Sequence, residues 1–313
     1  MRMKPGVLRF QWLLMIVLTA GVSAPASSPA QNLPPGKSAP TEKAAPIAPD
    51  PTLIGAGDIA DCKDLAAAEA TAKLLDANPG TVMAVGDLVY ANGTDQDFQD
   101  CYDKTWGRHK ADTRPATGNH EWHSKGAEGY DHYWSTTGIM PGRYYYSYDL
   151  GTWHIAVLDS NCKQVGCQRG SEQEQWLRKD LAAHPVSCTL AYFHHPRFSS
   201  GFHGDGKEVQ DLWQALYDAN ADVVVNGHDH DYERFAPQDP EGKADAARGI
   251  REFVAGTGGA PLRWMLRHQP NSEVRNSDTH GVLKLTLHRD SYDWRFIPVA
   301  GRTFSDSGSG TCH

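Results

Sequence analysis

The chain has 313 residues, of which 40% are hydrophobic and 22% charged, enough for one large or two small globular domains with a substantial core, and not the composition of a disordered chain. Its formal net charge is −8, which argues against nucleic acid or an anionic membrane as the main partner. An anionic substrate therefore needs a strongly cationic feature where it binds.

In chain order, residues 1–30 read as a secretory signal peptide: Arg2, Lys4 and Arg9, then the apolar stretch Trp12 to Ala20, then small residues and prolines. The apolar run is shorter than the ~20 residues of a spanning helix, so cleavage after Ala24 or Ala30 is expected and no stable membrane span after it. Removing the segment takes three positive charges from −8, to −11. Residues 31–51 read as a Pro/Ala-rich flexible linker, and the folded domain as residues 52–313. Export implies an oxidising compartment, secreted or periplasmic, and the even number of cysteines suits three disulfides. A small loop closed by Cys162 and Cys167 is expected, with Cys62 to Cys101 and Cys188 to Cys312 as the other pairs. No C-x-x-C pair exists, so a zinc-thiolate site is not expected.

Within the domain, short apolar runs alternate with helical patterns, as in a layered α/β fold. TLIGAG is the first expected strand, Asp64 to Asp76 a helix, TVMAV a strand and Arg114 to Thr117 a short extended run. Tyr144 to Tyr148 and Trp153 to Leu158 read as paired strands around a turn at Asp149 to Gly151. Ser171 with Glu174 reads as a capping box that opens a helix through Leu181. CTLAYF is a strand, Lys207 to Ala219 a helix and DVVVN a strand. Glu252 to Ala255, Val282 to Leu287 and Tyr292 to Ile297 are the last strands, the final two a hairpin around Arg289 and Asp290. The expected architecture is two stacked mixed β-sheets flanked by helices.

Five polar segments each end one of these runs: GDIAD at 57–61, GDLVY at 86–90, GNHE at 118–121, FHHP at 193–196 and GHDH at 227–230. Ligands of open α/β sheets bind where the carboxyl ends of strands meet loops. The segments supply Asp58, Asp87, Tyr90, Asn119, His194, His228 and His230, a carboxylate, phenolate, amide and imidazole set suited to hard and borderline metal ions. Burying such a set is costly unless a metal compensates it.

The ordered set GD, GDxxY, GNHE, H-x-P and GHxHxYER resembles the calcineurin-like metallophosphoesterases, and within them the purple acid phosphatase branch. The match covers about residues 53–258, and GHDHDYERF is its most specific stretch. The resemblance implies a metallophosphoesterase-type αββα sandwich and a catalytic domain over 52–313. It implies that Asp58, Tyr90 and His230 hold one metal, that Asn119, His194 and His228 hold the second, and that Asp87 bridges both. Ala60 stands where many superfamily members have a second ligand after the first Asp, and Tyr90 supplies the ligand instead. His195 is the alternative to His194, which matches the first position of H-x-P.

A phenolate suits trivalent iron, so two metal ions, Fe(III) plus a divalent ion (Fe, Zn or Mn), are expected. Their charge exceeds that of Asp58, Asp87 and phenolate Tyr90, leaving a positive centre for a phosphate dianion. The implied activity is an exported phosphatase that hydrolyses phosphate monoesters by attack of a metal-bound hydroxide, with a small phosphate ester as partner. A phosphodiesterase or nucleotidase on the same core is the alternative, and an inactive secreted metal-binding protein is a third. His120 is the first candidate to protonate the leaving group or touch a phosphate oxygen, and His203 the second. His123 reads as a bystander. Trp106, Trp134, Trp153, Trp176 and Trp213 read as core or pocket wall, and Glu233 and Arg234 as a structural ion pair or cap. Asp159 and Asn161 are candidates to orient a histidine.

Overall fold

The central strands of the parallel series are apolar on both faces, which is what a strand covered from both sides requires. In Val223, Val224 and Val225, and again in Leu53, Ile54, Gly55 and Ala56, successive side chains point to opposite faces and are all buried. A computed structural model describes residues 49–313, so the expected signal peptide and most of the expected linker lie outside the described residues. No helix among the described residues is long and apolar enough to cross a membrane.

Two mixed sheets form. The first has six strands in the order Ser307–Thr311, Ser291–Pro298, Gly281–Leu287, Thr52–Ala56, Thr81–Val85, Thr113–Ala116. Its last three strands run parallel and the others antiparallel. The second has seven, in the order Ser272–Asn276, Tyr232–Phe235, Arg251–Ala255, Val223–Asn226, Cys188–Tyr192, Trp153–Val157, Tyr146–Leu150. Its four central strands are parallel. Leu53, Met83, Val85 and Leu283 of the first sheet pack with Ile155, Leu190, Val223 and Phe253 of the second in one buried cluster, so the sheets stack face to face. Ala68, Ala72 and Leu75 of the helix Ala66–Ala77 cover the outer face of the first sheet. Leu177 and Leu181 of Glu172–Ala183, with Leu212, Trp213 and Leu216 of Gln210–Asp218, cover that of the second. Helices flank two stacked sheets, as the sequence reading has it.

Several local readings are revised. Ser171 Oγ accepts from the Glu174 amide, but the Glu174 carboxylate accepts from Gly170 N at 2.9 Å and not from Ser171, so the expected capping box is an N-cap alone. The expected helix from Lys207 begins as a 3-10 turn over Lys207–Val209 and is α-helical over Gln210–Asp218. The paired strands are Tyr146–Leu150 and Trp153–Val157, with the turn moved to the left-handed Gly151 (φ 63°). The Ser/Gly-rich end of the domain, for which no strand is expected, is the edge strand Ser307–Thr311. Its glycines lie under aromatic rings: a Cβ at Gly308 comes within 2.4 Å of the Trp294 ring and one at Gly310 within 2.4 Å of Tyr292. Asp306 beside it accepts from Tyr232 Oη, Trp294 Nε1 and Arg234 Nε at 2.8, 3.1 and 2.7 Å.

All six cysteines are paired, Cys62 with Cys101, Cys162 with Cys167 and Cys188 with Cys312, the connectivity expected above. Trp106, Trp134, Trp153 and Trp213 are buried, and Trp176 packs partly buried under Arg143.

Candidate metal centre

The parallel strands of both sheets end at one rim, and each ending strand delivers one polar loop. Thr52–Ala56 leads to Asp58, Thr81–Val85 to Asp87, Thr113–Ala116 to Asn119, Cys188–Tyr192 to His194, and Val223–Asn226 to His228 and His230. Three of these residues have left-handed backbones: Asp58 (φ 60°), Asp87 (φ 48°) and His228 (φ 69°). Such conformations cost non-glycine residues on the order of 1–3 kcal/mol each and cluster at functional sites. Gly118 is there because nothing larger fits, since a Cβ would lie 2.1 Å from Asp87 N and 2.2 Å from Asp87 Oδ1.

Six of the seven residues are linked by short contacts around Asp87, and Asn119 stands on the neighbouring loop. Tyr90 Oη donates to Asp58 Oδ1 at 2.7 Å and lies 3.1 Å from His230 Nε2 and 3.2 Å from Asp87 Oδ2. On the other side, Asp87 Oδ2 is 3.2 Å from His194 Nε2, and Asp87, His194 and His228 present ligand atoms all within 4.8 Å of one another. Asp87 Oδ2 is thus common to both halves. Asn119 Oδ1 and His194 Nε2 are buried without a hydrogen-bond partner, and buried polar atoms of this kind call for an explanation such as an ion. His194 Nδ1 faces the Val85 carbonyl at 3.0 Å and His230 Nδ1 the Pro261 carbonyl at 2.8 Å. Each carbonyl only accepts, so each Nδ1 carries the hydrogen and each Nε2 is turned inward.

Among the side chains themselves, ionised carboxylates are balanced by imidazolium charges. Burial disfavours the Asp87 carboxylate, but His194 and His120 hold it well below the ordinary range. Burial likewise opposes the His194 imidazolium, and Asp87 and Asp58 outweigh it, lifting the group to about 10. Asp58 is lowered, burial being overcome by His230 and His194. Burial and the two aspartates push the Tyr90 phenol up. Cations at the inward nitrogens would take over the role of these protons.

The two proposed acid residues lie on opposite flanks. The His120 ring lies 4.2 Å from the Tyr90 ring, with Nδ1 2.6 Å from the Ala91 carbonyl and Nε2 3.8 Å from Asp87 Oδ2. His203 is exposed, its ring 4.1 Å from that of His228 and its Nε2 accepting from Arg263 Nη1 at 2.9 Å. His123 joins His120 at the Ala91 carbonyl, at 3.0 Å. His195 faces elsewhere than His194: its Nδ1 meets Ser160 Oγ at 2.8 Å.

Other expectations do not hold. Glu233 and Arg234 are not paired with each other, because consecutive strand residues face opposite ways. Glu233 accepts from Ser200 N at 2.7 Å and Ser200 Oγ at 2.6 Å, while Arg234 pairs with Asp306 and Glu273. Asp159 and Asn161 orient no histidine. Asn161 Nδ2 donates to Asp159 Oδ1 at 2.7 Å and to the Gly118 carbonyl at 3.2 Å, and Asp159 Oδ2 accepts from Trp122 Nε1 at 3.1 Å, so the pair braces the loop that carries Asn119. Glu121, the last residue of GNHE, has a role that its sequence position alone does not disclose. Its buried carboxylate accepts from Leu88 N at 2.8 Å, Val89 N at 3.3 Å and Gly118 N at 2.7 Å, clamping the Asp87 loop to the Asn119 loop. The signal available there is a carboxylate close to the ligands.

Beside the cluster opens a cavity of about 610 Å³ lined by Asn119, Trp122, His195, Lys163, Gln164 and Glu208, among others. This volume is that of a small-molecule site.

Comparison with known proteins places the chain in a family. The model of the calcineurin-like phosphoesterase family matches residues 51–232. Purple acid phosphatase 21 of Arabidopsis thaliana is 30% identical over 230 residues, 66% of this chain and 51% of that protein. Probable inactive purple acid phosphatase 1 of the same plant is 28% identical over 253 residues, 66% of this chain and 38% of that protein. The chain spans about half the length, or less, of these curated relatives. Among solved structures, purple acid phosphatase PPD1 from yellow lupin (Lupinus luteus) seeds superposes with a TM-score of 0.65 at 20% identity, over 83% of this chain and 53% of that one. GAP50, the anchor in the inner membrane complex of Plasmodium, superposes at 0.66 with 16% identity, over 85% of this chain and 90% of that one. At these identities the superpositions bear on the fold alone.

Proposed function

Because the chain belongs to the calcineurin-like phosphoesterase family, we propose that it hydrolyses phosphate monoesters at a two-metal centre, as an exported enzyme. The observation that carries this reading is Asp87 Oδ2, 3.2 Å from both Tyr90 Oη and His194 Nε2, the place of a bridging ligand. Asp58, Tyr90 and His230 would hold one ion, Asn119, His194 and His228 the other, and Asp87 both. His194 is favoured over His195 because its inward Nε2 lacks a partner while His195 Nδ1 is engaged by Ser160. The phenol of Tyr90 favours Fe(III) at the first position, with Fe, Zn or Mn divalent at the second. When bound, such a pair supplies Lewis-acid polarisation of the phosphoryl group and a nucleophilic water at neutral pH.

The side chains do the rest. Clustered carboxylates and imidazoles keep bulk water from the buried side of the centre, and the left-handed backbones at Asp58, Asp87 and His228 fix donors before substrate arrives. His120, poised above Tyr90 and Asp87, would contact a phosphoryl oxygen or return a proton to the departing alcohol, with His203 and Arg263 on the opposite flank. Three disulfides support an oxidising compartment outside the cytoplasm.

The direct test measures turnover of phenyl phosphate against bis(4-nitrophenyl) phosphate by the full chain supplied with iron and zinc. Preferential monoester hydrolysis is expected, and preferential diester hydrolysis would replace monoesterase by phosphodiesterase. His120→Ala should lower kcat about 10²-fold, the usual scale for a positioned acid or base, with metal content unchanged by elemental analysis. An unchanged rate removes His120 from the mechanism. His203→Ala, exposed and held by Arg263, should lower kcat by about tenfold.

A further inference from the structure

Resting on the phosphoesterase reading, we infer that His195 binds the alcohol part of the ester, that Ser160 sets its tautomer, and that the cavity it faces takes a hydroxyl-bearing alcohol such as a sugar or polyol. Ser160 is buried, 1% exposed, and its Oγ accepts from the His195 amide at 2.9 Å while meeting His195 Nδ1 at 2.8 Å. The hydroxyl has no other acceptor in reach, so its proton goes to Nδ1. The ring hydrogen then sits on Nε2, since a neutral imidazole carries one. That nitrogen has no hydrogen-bond partner among the described residues, and His195 is one of the residues lining the 610 Å³ cavity. The His195 ring is 4.3 Å from that of His228, so it stands at the border between the ligand cluster and the cavity.

The phosphoryl group belongs over Asp87 and Asn119, which leaves the cavity beyond for the organic group. Trp122 provides one flat wall, fixed by its donation to Asp159 and by Tyr144, whose ring centroid lies 4.7 Å away. Lys163, Gln164 and Glu208 bring an ammonium, an amide and a carboxylate around it. An aromatic face ringed by donors and acceptors matches an alcohol that alternates C–H and O–H groups. A plain aryl alcohol would satisfy none of the polar groups, and sites built to bond a hydroxyl discriminate strongly against analogues lacking it.

The test uses the full chain loaded with iron and zinc, and compares kcat/KM for glucose 6-phosphate and phenyl phosphate. Binding of a non-hydrolysable glucose 6-phosphonate and of phenylphosphonate, measured by calorimetry, gives a readout independent of turnover. His195→Phe keeps the ring and removes the donor, and should lower the ratio of sugar to aryl kcat/KM by about tenfold or more, with the ratio of binding constants following. Ser160→Ala should lower it several-fold. Lys163→Ala and Glu208→Gln, both at the exposed edge of the cavity, should shift the ratio the same way even if His195→Phe fails to fold. Equal loss on both substrates, or an unchanged ratio in the edge variants, overturns the inference. If the wild type turns over neither ester, the phosphoesterase reading fails first and this one with it.

Discussion

Asp87→Asn is expected to lower kcat/KM for a phosphate monoester by about 10³-fold or more, since several kcal/mol of transition-state stabilisation depend on two metal ions and each tenfold is about 1.4 kcal/mol. The substitution is nearly isosteric. Asp87 Oδ1 accepts from the His120 amide at 2.8 Å, so the amide oxygen of an asparagine stays there. The NH₂ then replaces Oδ2 and turns a donor towards Tyr90 Oη and His194 Nε2, where an anionic acceptor stood 3.2 Å from each. The bridge is lost without a cavity, and the far-ultraviolet circular dichroism should not change. Elemental analysis should show metal per chain falling with activity. A loss under about tenfold with full metal retained contradicts the role assigned to Asp87.

Removing the Cys188–Cys312 disulfide as the paired Ser variant is expected to cost about 4–5 kcal/mol of unfolding free energy, from the chain entropy of a long closed loop. The bond spans 124 residues and ties the strand Cys188–Tyr192 to the residue that follows the edge strand Ser307–Thr311. The Cys162–Cys167 pair spans 5 residues, and the same reasoning gives about 2 kcal/mol for it. Urea unfolding of the two variants separates them. A cost below about 1 kcal/mol for the longer loop would mean that the edge strand is held by Asp306 and the aromatic–glycine contacts instead of by the crosslink.

The positions of the seven candidate ligands were legible because each follows a short run of apolar, β-prone residues, and strands of a parallel series end at one rim. TLIGA, TVMAV, CTLAY and VVVN are continuous apolar runs that leave little choice but strands buried on both faces. What escaped notice depends on contacts distant in sequence. Ser272–Asn276 and Ser307–Thr311 are polar edge strands whose stability comes from neighbouring strands and aromatic rings, so their own composition points to loop. Glu121 became visible only when its three amide donors, from two separate loops, were placed around it. Glu233 and Arg234 looked like a pair because they are adjacent, but strand alternation sends them to different partners. The left-handed backbones at Asp58, Asp87 and His228 fall on residue types that tolerate that conformation better than most, but Asp and His are too common elsewhere for the type alone to show it.

The measurement that bears most directly on the account is the number and kind of metal ions bound per chain, taken with a visible absorption spectrum, for the wild type and Tyr90→Phe. The account predicts two ions per chain in the wild type, one of them iron, with a visible band from phenolate bound to Fe(III) that disappears in Tyr90→Phe. A fully loaded wild type holding no more than one ion, or a visible band that survives the loss of the Tyr90 hydroxyl, contradicts it.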